Sequence, residues 1–108
     1  MDLYLQPGKF PECFTSGLPA RQAGELAATQ RPLASAAVTE ASGTPAWATI
    51  PSWAVVGTAD KVIPPTELLA MAATAGAHVT KVNAGHLSLI SAPGTVAQVI
   101  IRAAAATS

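Results

Sequence analysis

The stretch Ile50–Ser91 constrains the fold of this chain more than any other, because its pattern is strand, helix, strand. Residues 51–56 form a short apolar run rich in β-branched side chains. A helical pattern over residues 66–75 follows and ends at Gly76, and residues 78–82 form a second extended run. Two strands joined by a helix make a βαβ unit with parallel strands and a right-handed crossover. The sequence therefore predicts an α/β fold.

An acidic and an imidazole side chain follow these two strands. Asp60 closes the turn Gly57–Asp60 after the first strand, and His86 ends the loop Asn83–His86 after the second. In parallel sheets, functional sites form from the loops after the carboxyl ends of the strands. We therefore expect Asp60 and His86 to meet at neighbouring strand ends and treat them as the candidate catalytic residues.

The first part of the chain predicts short helices that need a surface to pack on. Phe10, Cys13 and Phe14 have helical spacing, and a longer helix is expected from Leu18–Pro19 to about Thr29. An Ala-rich helix is expected over Leu33–Val38.

A linker and a final helix complete the predicted organisation. Residues 40–45, Glu-Ala-Ser-Gly-Thr-Pro, form the clearest linker, so we divide the chain into residues 1–44 and 45–108. The last helix is expected to have Ser91 as its cap and Pro93 in its first turn, with fraying from Ala103 to Ser108. Its Val96, Val99, Ile100 and Ala103 would face the sheet.

Charge and composition exclude several classes of function. Six basic and six acidic residues give a formal charge of zero, and no basic cluster indicates nucleic acid. The charge-free stretch Val82–Ile101 contains polar residues, glycines and a proline, so we reject a membrane span. Cys13 is the single cysteine, which excludes an internal disulfide and agrees with a reducing, cytoplasmic compartment. No cofactor is expected.

The candidate residues also have other interpretations. Asp60 is also a residue type that forms turns or caps helices, and His86 is also a residue type found in ordinary loops. Asp60 paired with Glu67 as glycosidase carboxylates is a poor alternative, because Glu67 falls in the first helical turn. The two histidines and Asp60 lack the spacing of a metal site, so no metal is expected.

Two segments resemble the α/β-hydrolase superfamily. Trp53-Ala-Val-Val-Gly-Thr-Ala-Asp60, with Ile63-Pro-Pro just after it, resembles the strand and acid turn of that fold. Val82-Asn-Ala-Gly-His86 resembles its last strand and histidine loop. Upstream segments, including Phe10–Phe14 and Thr29–Pro32, are similar to the end of the helical cap in bacterial esterase-like members. Those members are similar to the plant methylesterase and hydroxynitrile lyase branch.

The resemblance implies roles for Asp60 and His86. Asp60 would be the triad acid that orients the imidazole, and His86 would be the general base. The nucleophile of this family precedes the acid on a Gly-x-Ser-x-Gly elbow. Ser16–Gly17 and Ser42–Gly43 lack the first glycine of that motif, and no oxyanion loop of the His-Gly-Gly type is present. We therefore interpret the chain as a C-terminal portion of the fold, inactive alone.

The resemblance is compatible with three functions. The first is hydrolysis of a small ester-like substrate by a longer protein that contains this chain. The second is a non-catalytic module that associates, with itself or a partner, through an open sheet edge. The third is a lyase that uses the same acid and base. Ala54, Thr74 and Ala92 depart from residues common in the family and leave the substrate open.

Overall fold

The protein contains a two-stranded parallel sheet with flanking helices, preceded by a small helical segment. A computed structural model describes all 108 residues. The elements in chain order are β1 (Asp2–Leu3), α1 (Phe10–Cys13), α2 (Ala20–Ala28), β2 (Leu33–Ala34), α3 (Ala36–Thr39), a 3-10 turn (Ala46–Ala48), β3 (Trp53–Gly57), α4 (Pro65–Thr74), β4 (His78–Val82), α5 (Ser88–Ser91) and α6 (Pro93–Thr107).

The central βαβ unit has the topology that the sequence predicts. β3 and β4 pair in parallel, in a register that places Trp53 beside His78 and Gly57 beside Val82. Helix α4 connects the two strands and packs on β3. The carboxyl ends of β3 and β4 therefore lie at the same edge, and their following loops are neighbours. The predicted α/β fold is confirmed.

Helix α4 ends where the sequence predicts, because Gly76 supplies the conformation that a helix stop needs. Gly76 has a φ of +63°. Its N–H donates to the carbonyl of Ala73 at 3.1 Å, and the N–H of Ala77 donates to the carbonyl of Ala72 at 2.9 Å. These two bonds are those of a Schellman motif. The chain then enters β4 within two residues, so the helix stop fixes the start of the second strand.

The segment Leu33–Val38 corrects the prediction of a single Ala-rich helix. Leu33 and Ala34 form β2, which pairs antiparallel with β1, and only Ala36–Thr39 is helical. The pairing is extended by the N–H of Ser35, which donates to the carbonyl of Met1 at 2.8 Å. Helical propensity is overridden here because a segment some thirty residues away offers backbone partners.

The last helix differs from its prediction in three respects. Ser91 is not its cap, since Ala92 holds that position without a side-chain hydrogen bond, and the Ser91 hydroxyl donates to the carbonyl of Leu87. The helix continues to Thr107 instead of fraying from Ala103. Val99 is buried against the sheet, whereas Ile100 is exposed. Ile100 is exposed because its side chain lies on the side of the helix that the two-stranded sheet does not cover.

The core is small for a chain of this length. Ten residues are buried. Three of them, Val56, Ala72 and Val99, form the part of the core that lies between the sheet and helices α4 and α6. The accessible surface is 7386 Å², about a third more than the roughly 5,500 Å² expected of a compact monomer of this mass. The Cα radius of gyration is 15.4 Å, against roughly 13 Å for a compact domain of this length. Much apolar surface is therefore uncovered.

Replacement of Gly57 by alanine should destabilise the fold, because the backbone at the end of β3 passes close to the loop after β4. A Cβ there would lie 2.6 Å from the carbonyl oxygens of both Ala84 and Gly85. We expect Gly57→Ala to lower the free energy of unfolding by about 1–3 kcal/mol, measured by urea denaturation followed by circular dichroism.

Gly43→Ala is the matched control for this experiment. Nothing lies within 4 Å of a Cβ at Gly43, so its effect should stay within about 0.5 kcal/mol. Equal stability of the two variants would contradict the close approach of the loops.

Candidate functional site

Asp60 and His86 are brought together by the parallel pairing of β3 and β4. The N–H of Thr58 donates to the carbonyl of Val82 at 2.8 Å, and the N–H of Ala59 donates to the carbonyl of Ala84 at 3.1 Å. These bonds continue the strand pairing into the two loops. The side chains at the ends of the loops are therefore held against each other by backbone hydrogen bonds.

The two side chains make a direct hydrogen bond. Nδ1 of His86 lies 2.9 Å from Oδ2 of Asp60. The carboxylate only accepts hydrogen bonds, so Nδ1 carries the proton and donates it. No hydrogen bond within the chain engages Nε2 of His86. The geometry leaves this second ring nitrogen available to a group outside the pair.

Asp60 is fixed by the backbone on its other oxygen. Oδ1 accepts hydrogen bonds from the N–H groups of Val62 at 2.8 Å and Ile63 at 3.0 Å. The N–H of Asp60 itself donates to the carbonyl of Gly57 at 3.2 Å, which closes the turn. Asp60 is therefore a turn-former as well as the partner of His86. The turn sets the direction in which its second oxygen points.

The surroundings of Asp60 favour its charged form. The Asp60 side chain is 4% exposed and that of His86 is 24% exposed. Burial raises the pKa of the Asp60 carboxyl, but the hydrogen bond from His86 and those from the N–H groups of Ile63 and Val62 together outweigh burial. The net result is a pKa below the ordinary value of 3.8. Asp60 is therefore ionised near neutral pH and acts as an acceptor for the imidazole.

The helical segment at the start of the chain supplies one wall of the site. The ring of Phe14 packs against the imidazole of His86 with a centroid distance of 4.8 Å, and Phe10 packs against Phe14 at 5.1 Å. Phe10 is buried. The i, i+3, i+4 pattern of the sequence identifies these residues as an apolar face. It gives no indication that the face covers a histidine more than seventy residues away.

Ser16 is a further residue at the site that the sequence pattern does not reveal. Its Oγ is buried and has no hydrogen-bond partner. A Cβ on Gly85 would lie 2.8 Å from this Oγ and 2.5 Å from the Ser16 carbonyl oxygen, so only glycine fits there without a shift. The close contact joins the histidine loop to the segment after α1.

A polar cavity of about 430 Å³ lies beside the two loops. Residues from both loops line it together with Ser16, Gly17 and Ser91. Lys61 lines the same cavity and makes no salt bridge.

The other candidate residues of the sequence make no hydrogen bond or salt bridge with Asp60 or His86. His78 starts β4, at the opposite end of the strand from His86, and its ring packs on Trp53 at 4.9 Å. Glu67 lies in the first turn of α4 and makes no contact with Asp60 through a hydrogen bond or salt bridge. Cys13 is free and half-buried. No group of three or more metal-ligating side chains is present.

The comparison with protein families agrees with this architecture. A model described as the alpha/beta hydrolase family matches residues 3–99, about nine-tenths of the chain. The protein therefore belongs to the alpha/beta hydrolase family. Among curated proteins and among solved structures, none matches the chain significantly.

None of the helices of the protein combines the length and apolar character that a bilayer span requires.

The lowered pKa of Asp60 predicts a pH-dependent contribution to stability. A folded-state pKa below the unfolded value means that Asp60 stabilises the fold above about pH 4. This contribution is lost as the pH falls through the folded-state pKa. We expect Asp60→Asn to reduce the free energy of unfolding at pH 6 and to reduce it much less at pH 2, measured by urea denaturation.

Asp2→Asn is the control for the pH experiment. Asp2 is exposed and its carboxylate makes no hydrogen bond or salt bridge. Its replacement should have little effect at either pH. A loss of stability in Asp60→Asn that is equal at both pH values would contradict the charge-based explanation.

Proposed function

We propose that this chain is the C-terminal part of an α/β-fold hydrolase that cleaves a carboxylic ester or related acyl bond, and that it supplies the acid and the base of the active site. One observation carries the proposal. His86 donates through Nδ1 to a buried, ionised carboxylate at 2.9 Å while its Nε2 has no partner. This is the arrangement in which an imidazole accepts a proton from a nucleophile.

In this proposal each member of the pair has a separate task. Asp60 fixes the tautomer and direction of the imidazole, and its negative charge stabilises the imidazolium that forms when Nε2 takes a proton. Nε2 then returns that proton to the leaving alcohol. Asp60 stays ionised throughout, because its hydrogen bonds and the neighbouring imidazolium both favour the carboxylate.

The nucleophile is the part of the site that this chain does not supply. Members of this family place a serine elbow before the acid in chain order, and no Gly-x-Ser-x-Gly motif precedes Asp60. Ser16 belongs to a loop after a helix rather than to a strand-to-helix elbow. The parallel sheet has only two strands, and many apolar side chains are exposed. Both observations support the proposal that the other strands of the fold lie outside this chain. We therefore expect no ester hydrolysis by this chain alone.

The proposal is tested with p-nitrophenyl acetate on two proteins. The first is the chain as it stands, which should give no rate above buffer. The second is the chain extended by the sequence encoded upstream of Met1, which should hydrolyse the ester. In the extended protein, His86→Ala should lower kcat by about 10⁴- to 10⁶-fold and Asp60→Asn by about 10⁴-fold.

His78→Ala is the matched control in the extended protein. His78 packs on Trp53 at the far end of β4, so its replacement should leave kcat within about twofold. An extended protein that keeps its full rate after His86→Ala would rule out the proposed role of the pair. The hydroxynitrile lyase alternative uses the same pair and is distinguished by the products formed from a cyanohydrin.

The second candidate function is a non-catalytic interaction module. It is favoured by the open sheet, in which β3 and β4 each have one unpaired edge. Unpaired strand edges promote association. Light scattering coupled to size-exclusion chromatography tests the module: a dimer or larger species that persists on dilution supports it, and a monomer at all concentrations excludes self-association.

A further inference from the structure

One segment near the start of the chain contacts the histidine loop at two consecutive residues. The ring of Phe14 packs on the imidazole of His86 with a centroid distance of 4.8 Å. Two positions further on, Ser16 lies against Gly85: a Cβ on this glycine would be 2.5 Å from the Ser16 carbonyl oxygen and 2.8 Å from its Oγ. The segment therefore contacts both the backbone and the side chain of the loop that carries the base.

This segment is itself held in place by α1. The carbonyl of Phe10 accepts hydrogen bonds from the N–H groups of Phe14 at 2.9 Å and Thr15 at 3.1 Å, and from the Thr15 hydroxyl at 3.4 Å. Thr15 is buried, and the ring of the buried Phe10 packs on Phe14 at 5.1 Å. Movement of the Phe14 ring away from His86 would therefore disrupt contacts with a buried residue.

The hydrogen bond to Asp60 fixes one atom of the imidazole but not the direction of the whole ring. A ring held only through Nδ1 can still pivot about that bond, and each such motion displaces Nε2, which has no partner in the chain. The packed Phe14 ring restricts this motion, because side chains that pack against each other do not move independently. A general base acts efficiently when it is held in the productive direction before the reaction begins.

The same contact limits the access of water to the pair. The Asp60 side chain is 4% exposed, whereas that of His86 is 24% exposed. Phe14 is an apolar neighbour that offers no hydrogen bond to the imidazole. Without its ring, water would reach more of the imidazole and compete with the carboxylate for the proton on Nδ1.

We propose that Phe14 is a positioning residue for the base. Its ring holds the imidazole of His86 so that the Nδ1 proton stays on Asp60 and Nε2 keeps one direction. Ser16 holds the backbone of the same loop at Gly85. The effect of Phe14 on a reaction rate rests on the proposed function. Its effect on the imidazole does not, because the Asp60–His86 pair is complete in the 108-residue chain.

NMR of the 108-residue protein tests the effect on the imidazole. At about pH 8, where an ordinary imidazole is neutral, the ring nitrogen shifts of His86 should report the tautomer with its proton on Nδ1. That proton should exchange slowly with water. Phe14→Ala should accelerate the exchange at least about tenfold, because the ring moves more freely and water reaches the hydrogen bond. Phe14→Leu keeps an apolar side chain at this place and should restore most of the protection.

Trp53→Ala is the matched control for the NMR experiment. Trp53 packs on the other histidine, His78, with a centroid distance of 4.9 Å at the far end of the sheet. Its loss should leave the tautomer and the proton exchange of His86 unchanged. Equal acceleration in Trp53→Ala and Phe14→Ala would indicate a general loss of stability and would overturn the positioning role. If either alanine variant fails to fold, Phe14→Val and Trp53→Val replace the pair.

Two further variants test the backbone contact of the loop. Gly85→Ala places a Cβ against Ser16 and should shift the ring signals of His86 and accelerate exchange of its Nδ1 proton. Ser16→Ala removes only an Oγ that has no hydrogen-bond partner, so it should leave the His86 signals unchanged. A response to Ser16→Ala as large as the response to Gly85→Ala would contradict the role given to the backbone contact.

Kinetics of the protein extended upstream of Met1 test the effect on the rate. Phe14→Ala should lower kcat for p-nitrophenyl acetate about 10- to 100-fold and change KM by less than about threefold. Phe14→Leu should recover most of kcat. A raised KM with an unchanged kcat would show that Phe14 acts on the substrate alone and would overturn the positioning role.

Failure of the positioning role is distinguishable from failure of the proposed function. An extended protein whose rate depends on His86 but is unchanged in Phe14→Ala overturns the positioning role and leaves the proposed function intact. An extended protein without any activity contradicts the proposed function. In that case the exchange of the Nδ1 proton in the 108-residue chain still decides whether Phe14 holds the imidazole.

Discussion

The parallel pairing of β3 and β4 is the interaction on which the rest of the structure depends. It places the carboxyl ends of both strands at one edge and extends through backbone hydrogen bonds into the following loops. The close approach requires a residue without a side chain at Gly57, next to the carbonyl oxygens of Ala84 and Gly85. A carboxylate and an imidazole from different loops are therefore held at 2.9 Å.

The molecule combines this well-fixed site with a large uncovered surface. Asp60 uses one oxygen to close its own turn and the other to hold His86, so turn formation and orientation of the imidazole are the same structural event. By contrast, the face of α6 that carries Ile100, and the apolar side chains of Leu33 and Val38 in the N-terminal segment, are open to solvent. Burial of that apolar area by a ligand or by further protein would stabilise the fold.

The sequence predicted the central unit well and the N-terminal segment only in part. The strands, helix α4 and the stop at Gly76 follow from local patterns of period, branching and turn chemistry, which act over a few residues. The β1–β2 pair at Leu33–Ala34 and the failure of Ser91 to cap α6 were not predicted. Both depend on which backbone partners the folded chain offers, and residue pattern does not encode this locally.

By itself the sequence determined the α/β class, the two loops and the residue types in them, because these follow from spacing along the chain. Tertiary structure alone decided that Phe14 packs on His86, that Ser16 lies against Gly85 and that Gln30 joins its segment to Leu5. The physical reason is distance along the chain: contacts between residues 25 or more positions apart form only when the whole chain packs. The nearest neighbours of a site are set by packing, whereas its chemical groups are set by sequence.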